Sequence, residues 1–194
     1  MTCLLGLALS AAGCRHIAPV DTAPLDAIGM GYDAIQQLHA LQITPAEVAQ
    51  IAEIRRTGFS DDDCIAVMKI YRRHGAPFDG GDAMTGLAQA GMGDDDILEL
   101  ARLNQLGLDW GELQAMRLAG LSDPIVLEVA RHHAEGKPVL AGASLARLKN
   151  AGMHNGALLD LVQHGVPDSQ AAAILSYRRH GVSDAQIVRH FTGS

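Results

Sequence analysis

The clearest chemistry in this sequence lies in two copies of one pentapeptide, Tyr71-Arg72-Arg73-His74-Gly75 and Tyr177-Arg178-Arg179-His180-Gly181. Guanidinium groups are planar, permanently charged and rich in donors, so paired arginines beside a tyrosine suit recognition of carboxylates and other anions. The string marks Tyr71, Arg72, Arg73, Tyr177, Arg178 and Arg179 as a candidate patch for an anionic partner. That partner would be an acidic protein surface or a carboxylate-bearing polymer. A structural reading competes with this one. Positive charge in a last helical turn complements the helix dipole, and tyrosine buries its ring while keeping its hydroxyl wet. Yet other segments end as Asn104-Gln105-Leu106-Gly107 or Leu148-Lys149-Asn150-Ala151-Gly152, so a helix end does not by itself call for two arginines.

Other reactive residue types lack the spacing their chemistry needs. Asp61-Asp62-Asp63 and Asp94-Asp95-Asp96 suggest calcium, but a calcium loop alternates its oxygens along an irregular turn and closes with a bidentate Glu. Both clusters read instead as first-turn carboxylates favoured by the helix dipole. The nine histidines form no pair at the i, i+4 spacing of a helical zinc site. His74, His164 and His180 each stand before a glycine, where a donor meets a helix C-terminus, and His132 and His133 are adjacent and face apart. The sequence therefore predicts no metal and no cofactor. There is no Gly-x-Ser-x-Gly elbow, phosphate loop or dinucleotide fingerprint, and no catalytic residue is assigned. An enzyme would need a site assembled from distant residues.

The elements that carry these residues are legible from punctuation. Gly58-Phe59-Ser60, Gly107-Leu108-Asp109, Gly120-Leu121-Ser122 and Gly181-Val182-Ser183 each combine a helix-ending glycine, an apolar residue and an N-cap. Capping boxes are expected at Thr44/Glu47, Asp109/Glu112 and Ser183/Gln186, with Pro45 at a first helical position. Ile35, Leu38 and Leu41 predict a first helix over 33–42, and Val48, Ile51 and Ile54 a second. Glycine pairs 91/120, 107/136, 136/165 and 152/181 are each 29 apart, and Ile97–Arg102 overlays Val126–Arg131 without a gap. The expected fold is all-α: tandem short helices joined by Gly-capped turns, a helical-hairpin array or small α-solenoid over 33–194. An extra helix is expected around 143–151.

Composition sets the remaining bounds. Aromatic residues make up 4% and the formal charge is -7, which argues against nucleic acid as the main partner. Residues Cys3 to Ala12 form a short apolar run followed by Gly13-Cys14. This run resembles a bacterial lipoprotein signal, with Ala11 at the usual Leu position and no Lys or Arg in its n-region. The resemblance implies a signal peptide over 1–13, lipidation of Cys14, a tether over 14–32 and a periplasmic-side membrane anchor. Cleavage near Ser10-Ala11-Ala12 to give a soluble exported form, or a cytoplasmic location, are the alternatives. With Cys3 removed and Cys14 acylated, Cys64 is left alone on an apolar helix pattern, an inert buried thiol. The segments Met116–Asp123 and Tyr177–Ile187 are similar to Gly-apolar-Ser-Asp helical segments of uncharacterised bacterial proteins, which implies no activity. The functional expectation is a non-catalytic, envelope-tethered binding or scaffolding module. An envelope hydrolase and a cytoplasmic helical regulatory domain are the alternatives.

Overall fold

The computed structural model describes residues 20–103 and 109–193. Among them are twelve α-helices and no strand, arranged as six hairpins. The first helices of the hairpins, numbered in chain order, are α1 (Ala23–Asp26), α3 (Pro45–Arg56), α5 (Gly81–Gln89), α7 (Trp110–Leu118), α9 (Gly142–Asn150) and α11 (Ala171–Arg179). The second helices are α2 (Tyr32–Ala40), α4 (Asp61–Arg73), α6 (Asp94–Leu103), α8 (Asp123–Ala134), α10 (Asn155–Gln163) and α12 (Asp184–Thr192).

Each helix packs on the helices two before and two after it in the chain, so first helices form one layer and second helices another. This is a two-layer α-solenoid. One apolar core runs through it from Leu25 to Ile187. The expected extra helix around 143–151 is α9, the ordinary first member of the fifth hairpin.

The turn between the helices of a hairpin explains why such short helices hold. In the fourth hairpin Gly120 takes φ +81°, and Leu121 N–H donates to Met116 O at 3.2 Å, closing the end of α7. Leu121 is thereby folded back and fully buried. The same bond, from the residue after the glycine to a carbonyl five residues back, recurs at Met30, Met92, Met153 and Val182. Capping boxes are present at Thr44/Glu47 and Ser183/Gln186, and also at Ser60/Asp63. The box expected at Asp109/Glu112 is half formed. Asp109 accepts from Gly111 and Glu112 N–H, but the Glu112 carboxylate leaves the turn to accept from Gly142 N–H at 2.6 Å.

Within the first-helix layer glycine allows close approach. A Cβ on Gly142 would lie 2.8 Å from both Glu112 Oε1 and Met116 Cγ, so α9 sits against α7 at a separation any side chain would prevent.

The array begins earlier than expected. Over the expected tether 14–32, the residues from 20 onward are folded: Leu25 is fully buried and Met30 is 3% exposed. Pro24 stands in the first turn of α1, where its missing N–H costs nothing, and Gly29 closes that helix. Proline and glycine here punctuate a short helix. The signal-like run, Cys14 and the rest of the tether lie outside the described residues.

Two hairpins together form the true repeat. Leu25–Met30, Leu87–Met92 and Leu148–Met153 share a Leu-x-x-[Ile/Ala]-Gly-Met pattern 62 and 61 residues apart. Arg55-x-x-Gly58-x-Ser60-Asp61, Arg117-x-x-Gly120-x-Ser122-Asp123 and Arg178-x-x-Gly181-x-Ser183-Asp184 follow with the same offsets. Where inner helices carry Leu98 and Ala101, α2 carries Gln36 and His39. Where α8 carries Ile125 and Val129, α12 carries Gln186 and His190. The inner residues are buried and the outer faces of α2 and α12 are polar, as terminal units of a solenoid require.

Candidate functional site

The doubled pentapeptide does not form one patch. Its first copy ends α4, a second helix, and its second ends α11, a first helix; the two helices do not pack together. Arg178 is equivalent to Arg55 and Arg117, and Arg72 has no part in that series.

Arg72 is held inside the fold. Its guanidinium donates to Glu47 Oε1 at 2.7 Å and Oε2 at 2.6 Å, and also to Leu41 O and Gln42 O. Glu47 is 1% exposed and accepts in addition from Thr44 N–H and Phe78 N–H. Burial alone would raise this carboxyl. The Arg72 hydrogen bonds, then those from Phe78 and Thr44, outweigh burial and hold it at about 2. Tyr71 beside it is 8% exposed, with its ring edge-on to Phe78.

Arg178 closes a clamp that recurs along the array. It donates to Ala151 O at 3.3 Å and Gly152 O at 2.9 Å, and lies 3.6 Å from Asp184. Asp184 accepts in turn from His154 N–H at 3.0 Å and faces His154 Nδ1 at 2.8 Å. Burial pushes the Asp184 carboxyl up, but the His154 hydrogen bonds and Arg178 more than offset this and leave it lowered. In the first hairpins Asp61 joins Arg55 to Gly31 N–H, and in the middle of the array Arg117 reaches Asp123, Leu121 O and Gly91 O. Each clamp fastens a turn to the equivalent turn of the preceding hairpin. Its arginine is structural.

Arg73 and Arg179 remain exposed and make no hydrogen bond or ion pair with a described residue. Tyr177 is 38% exposed and stacks on His190 with ring centroids 5.0 Å apart. Of the three histidines that stand before a glycine, His164 and His180 take the expected end-of-helix role, and His74 makes no such bond with a described residue. His164 Nδ1 lies 2.7 Å from Asp160 O, and His180 Nδ1 2.8 Å from Ser176 O. His132 is 6% exposed against Pro138 O. Cys64 is fully buried, and burial pushes its thiol up to about 12.

The arginine that sequence reasoning missed is Arg147. It lines a groove between α9 and α11, with volumes of about 260 and 390 Å³ in two adjoining stretches. Leu148, Ala171, Ala172 and Leu175 line the first stretch together with Ser144, Asp168 and Ser169, and Arg147 and Arg179 flank Leu175 in the second. Neither guanidinium has a partner among the described residues. The sequence held one signal for this. Residues 20–103 carry fourteen carboxylates against six Lys or Arg, while 141–194 carry three against five.

Further clefts open beside Tyr71, His74 and Asp79, with a volume of about 490 Å³, and beside His154, Asp160 and Arg189, about 590 Å³. No set of three metal-ligating side chains comes together among the described residues, and none of the described helices is long and apolar enough to cross a membrane. Compared with known proteins, the chain matches no family model and no curated protein sequence.

Proposed function

We propose that the chain is a non-catalytic helical scaffold that binds an anionic partner on its first-helix layer, held at the bacterial envelope by a lipid on Cys14. The supporting observation is the α9–α11 groove, where Arg147 and Arg179 stand unpaired over an apolar floor in a chain of charge -7. Seven other arginines, Arg55, Arg56, Arg72, Arg102, Arg117, Arg131 and Arg178, face carboxylates, while Arg73 and Arg189 face none among the described residues. A planar donor left exposed beside Leu175 suits a carboxylate whose carbon skeleton lies on the groove floor.

The partner class is an acidic protein surface or an anionic envelope polymer, and three of the groups with displaced titration have structural work. Glu47 fastens Arg72, Asp184 completes a clamp, and Cys64 is sealed in the core. Titrating short polyglutamate into the protein tests the groove. Arg147→Gln/Arg179→Gln should abolish salt-sensitive binding, and unchanged binding would remove the groove from the account. Intact mass and membrane fractionation of the native product test the anchor, since a soluble product with unmodified Cys14 would exclude it.

A further inference from the structure

The α9–α11 groove has a covered counterpart earlier in the chain. α5 and α7 stand 61 residues before α9 and α11, and there Gly86 and Gln114 take the places of Arg147 and Leu175. Gln114 lies across Gly86, so near that a Cβ there would come within 2.7 Å of its Nε2. Between α9 and α11 the corresponding space is open, with Arg147 and Arg179 on either side of Leu175.

The open groove also differs in charge from end to end. Asp168 stands where α9 and α11 begin, Arg179 and Asn150 where they finish, and Arg147 about one turn inside. Leu148, Ala172 and Leu175 lie between the ends. Asp168 gives one carboxylate oxygen to Ala141 N–H at 3.0 Å and faces no cation within ion-pair distance among the described residues.

We propose that this groove takes the C-terminal tail of a partner protein in extended form. The terminal carboxylate lies between Arg147 and Arg179, the last side chain is apolar and rests on Leu175, and a lysine or arginine three positions earlier faces Asp168. The inference rests on the reading of Arg147 and Arg179 as anion-binding groups and names the anion. Asp168 precedes Arg179 by eleven residues, so the ends stand about 16 Å apart at 1.5 Å per residue, with Arg147 about 5 Å nearer. Four extended residues span about 13–14 Å, so a carboxylate and a cation at that separation in a chain reach both ends together.

The last turns of α9 and α11 present carbonyl dipoles that disfavour an anion, so a carboxylate here depends on the two guanidiniums. A terminal carboxylate carries an apolar side chain on its own α-carbon, which an internal aspartate or glutamate does not. Leu175, set between two planar donors, offers that side chain a dry contact.

Calorimetric titration of the full chain tests the tail with three probes: acetyl-Lys-Ala-Ala-Leu as the free acid, its C-terminal amide, and acetyl-Glu-Ala-Ala-Leu as the free acid. The Lys peptide should bind about tenfold or more tighter as acid than as amide, and Arg147→Gln/Arg179→Gln should erase that difference. It should also bind about threefold or more tighter than the Glu peptide. Asp168→Asn, which keeps an oxygen for Ala141 N–H, should erase this second preference with the thermal midpoint unchanged. Equal binding of acid and amide, or a difference that survives loss of both arginines, overturns the tail. Equal binding of the Lys and Glu peptides overturns its orientation towards Asp168. If polyglutamate still binds through Arg147 and Arg179 while acid and amide behave alike, the tail falls and the groove reading stands. Loss of both ligands defeats both.

Discussion

Replacing Glu47 by Gln removes one charge and little volume from a carboxylate that is 1% exposed. Its four hydrogen bonds span 2.6 to 2.9 Å and join three parts of the chain: the start of α3, the end of α4 and the turn at Phe78. The amide can still accept through one atom, but its NH2 then points at a donor. The displacement of Glu47 from 4.5 to about 2 is worth roughly 3 kcal/mol at about 1.4 kcal/mol per unit. Because the folded value lies below the unfolded one, that stability is fully present above about pH 4.5 and is lost as the pH falls towards 2. Urea unfolding should therefore show Glu47→Gln about 3 kcal/mol less stable than wild type at neutral pH, with the gap closing as the pH is lowered through that window. A gap below about 0.5 kcal/mol at neutral pH, or one that does not change with pH, would refute the reasoning.

Other expected outcomes test other parts of the fold. Gln42 takes φ +54° where neighbouring turns have glycine, so Gln42→Gly should raise stability by about 0.5–1 kcal/mol in thermal unfolding, and a loss would contradict the strain assigned there. Gly120→Val meets nothing within 4 Å, so its cost is backbone strain at φ +81°, above about 1 kcal/mol in denaturant unfolding. Gly142→Ala pushes a methyl to 2.8 Å from Glu112 and Met116 and should cost about 1–3 kcal/mol by the same measurement. Cys64 should resist alkylation in the folded protein and react once urea unfolds it, since its thiol is pushed up to about 12.

The helix array was legible because its signals are local. A glycine, an apolar residue and an N-cap within four positions fix a turn whatever lies elsewhere: Gly181-Val182-Ser183 behaves as read, and at Gly120-Leu121-Ser122 the glycine and leucine do so while Ser122 holds the N-cap position without a side-chain bond. The roles of the arginines were not legible, because their partners are distant in the chain. Arg72 is fixed by Glu47, 25 residues away, and Arg178 by Gly152, 26 away. The identical pentapeptides misled for the same reason. Identity over five residues outweighed the weaker Arg-x-x-Gly-x-Ser-Asp pattern, which recurs at the true offset of 61 or 62. That offset also exposes the polar residues of α2 and α12, which read as ordinary helix surface until they are aligned with Leu98 and Val129. Glu112 shows the limit of a capping motif: its spacing suits a box, but the bare N–H of Gly142 draws its carboxylate away.

The central claim is that this scaffold's arginines divide into clamps and contacts, and one pair of variants measured two ways tests it. Arg72→Gln/Arg178→Gln removes guanidiniums bound to Glu47, Gly152 and Asp184, and Arg147→Gln/Arg179→Gln removes those left unpaired at the α9–α11 groove. With polyglutamate titration and urea unfolding run on both, the first variant should lose stability and keep its binding once folded. The second should keep its unfolding midpoint and lose its binding. If the Arg147/Arg179 variant binds as wild type does, or if binding is lost only with Arg72 and Arg178, the working face of this protein is not the groove.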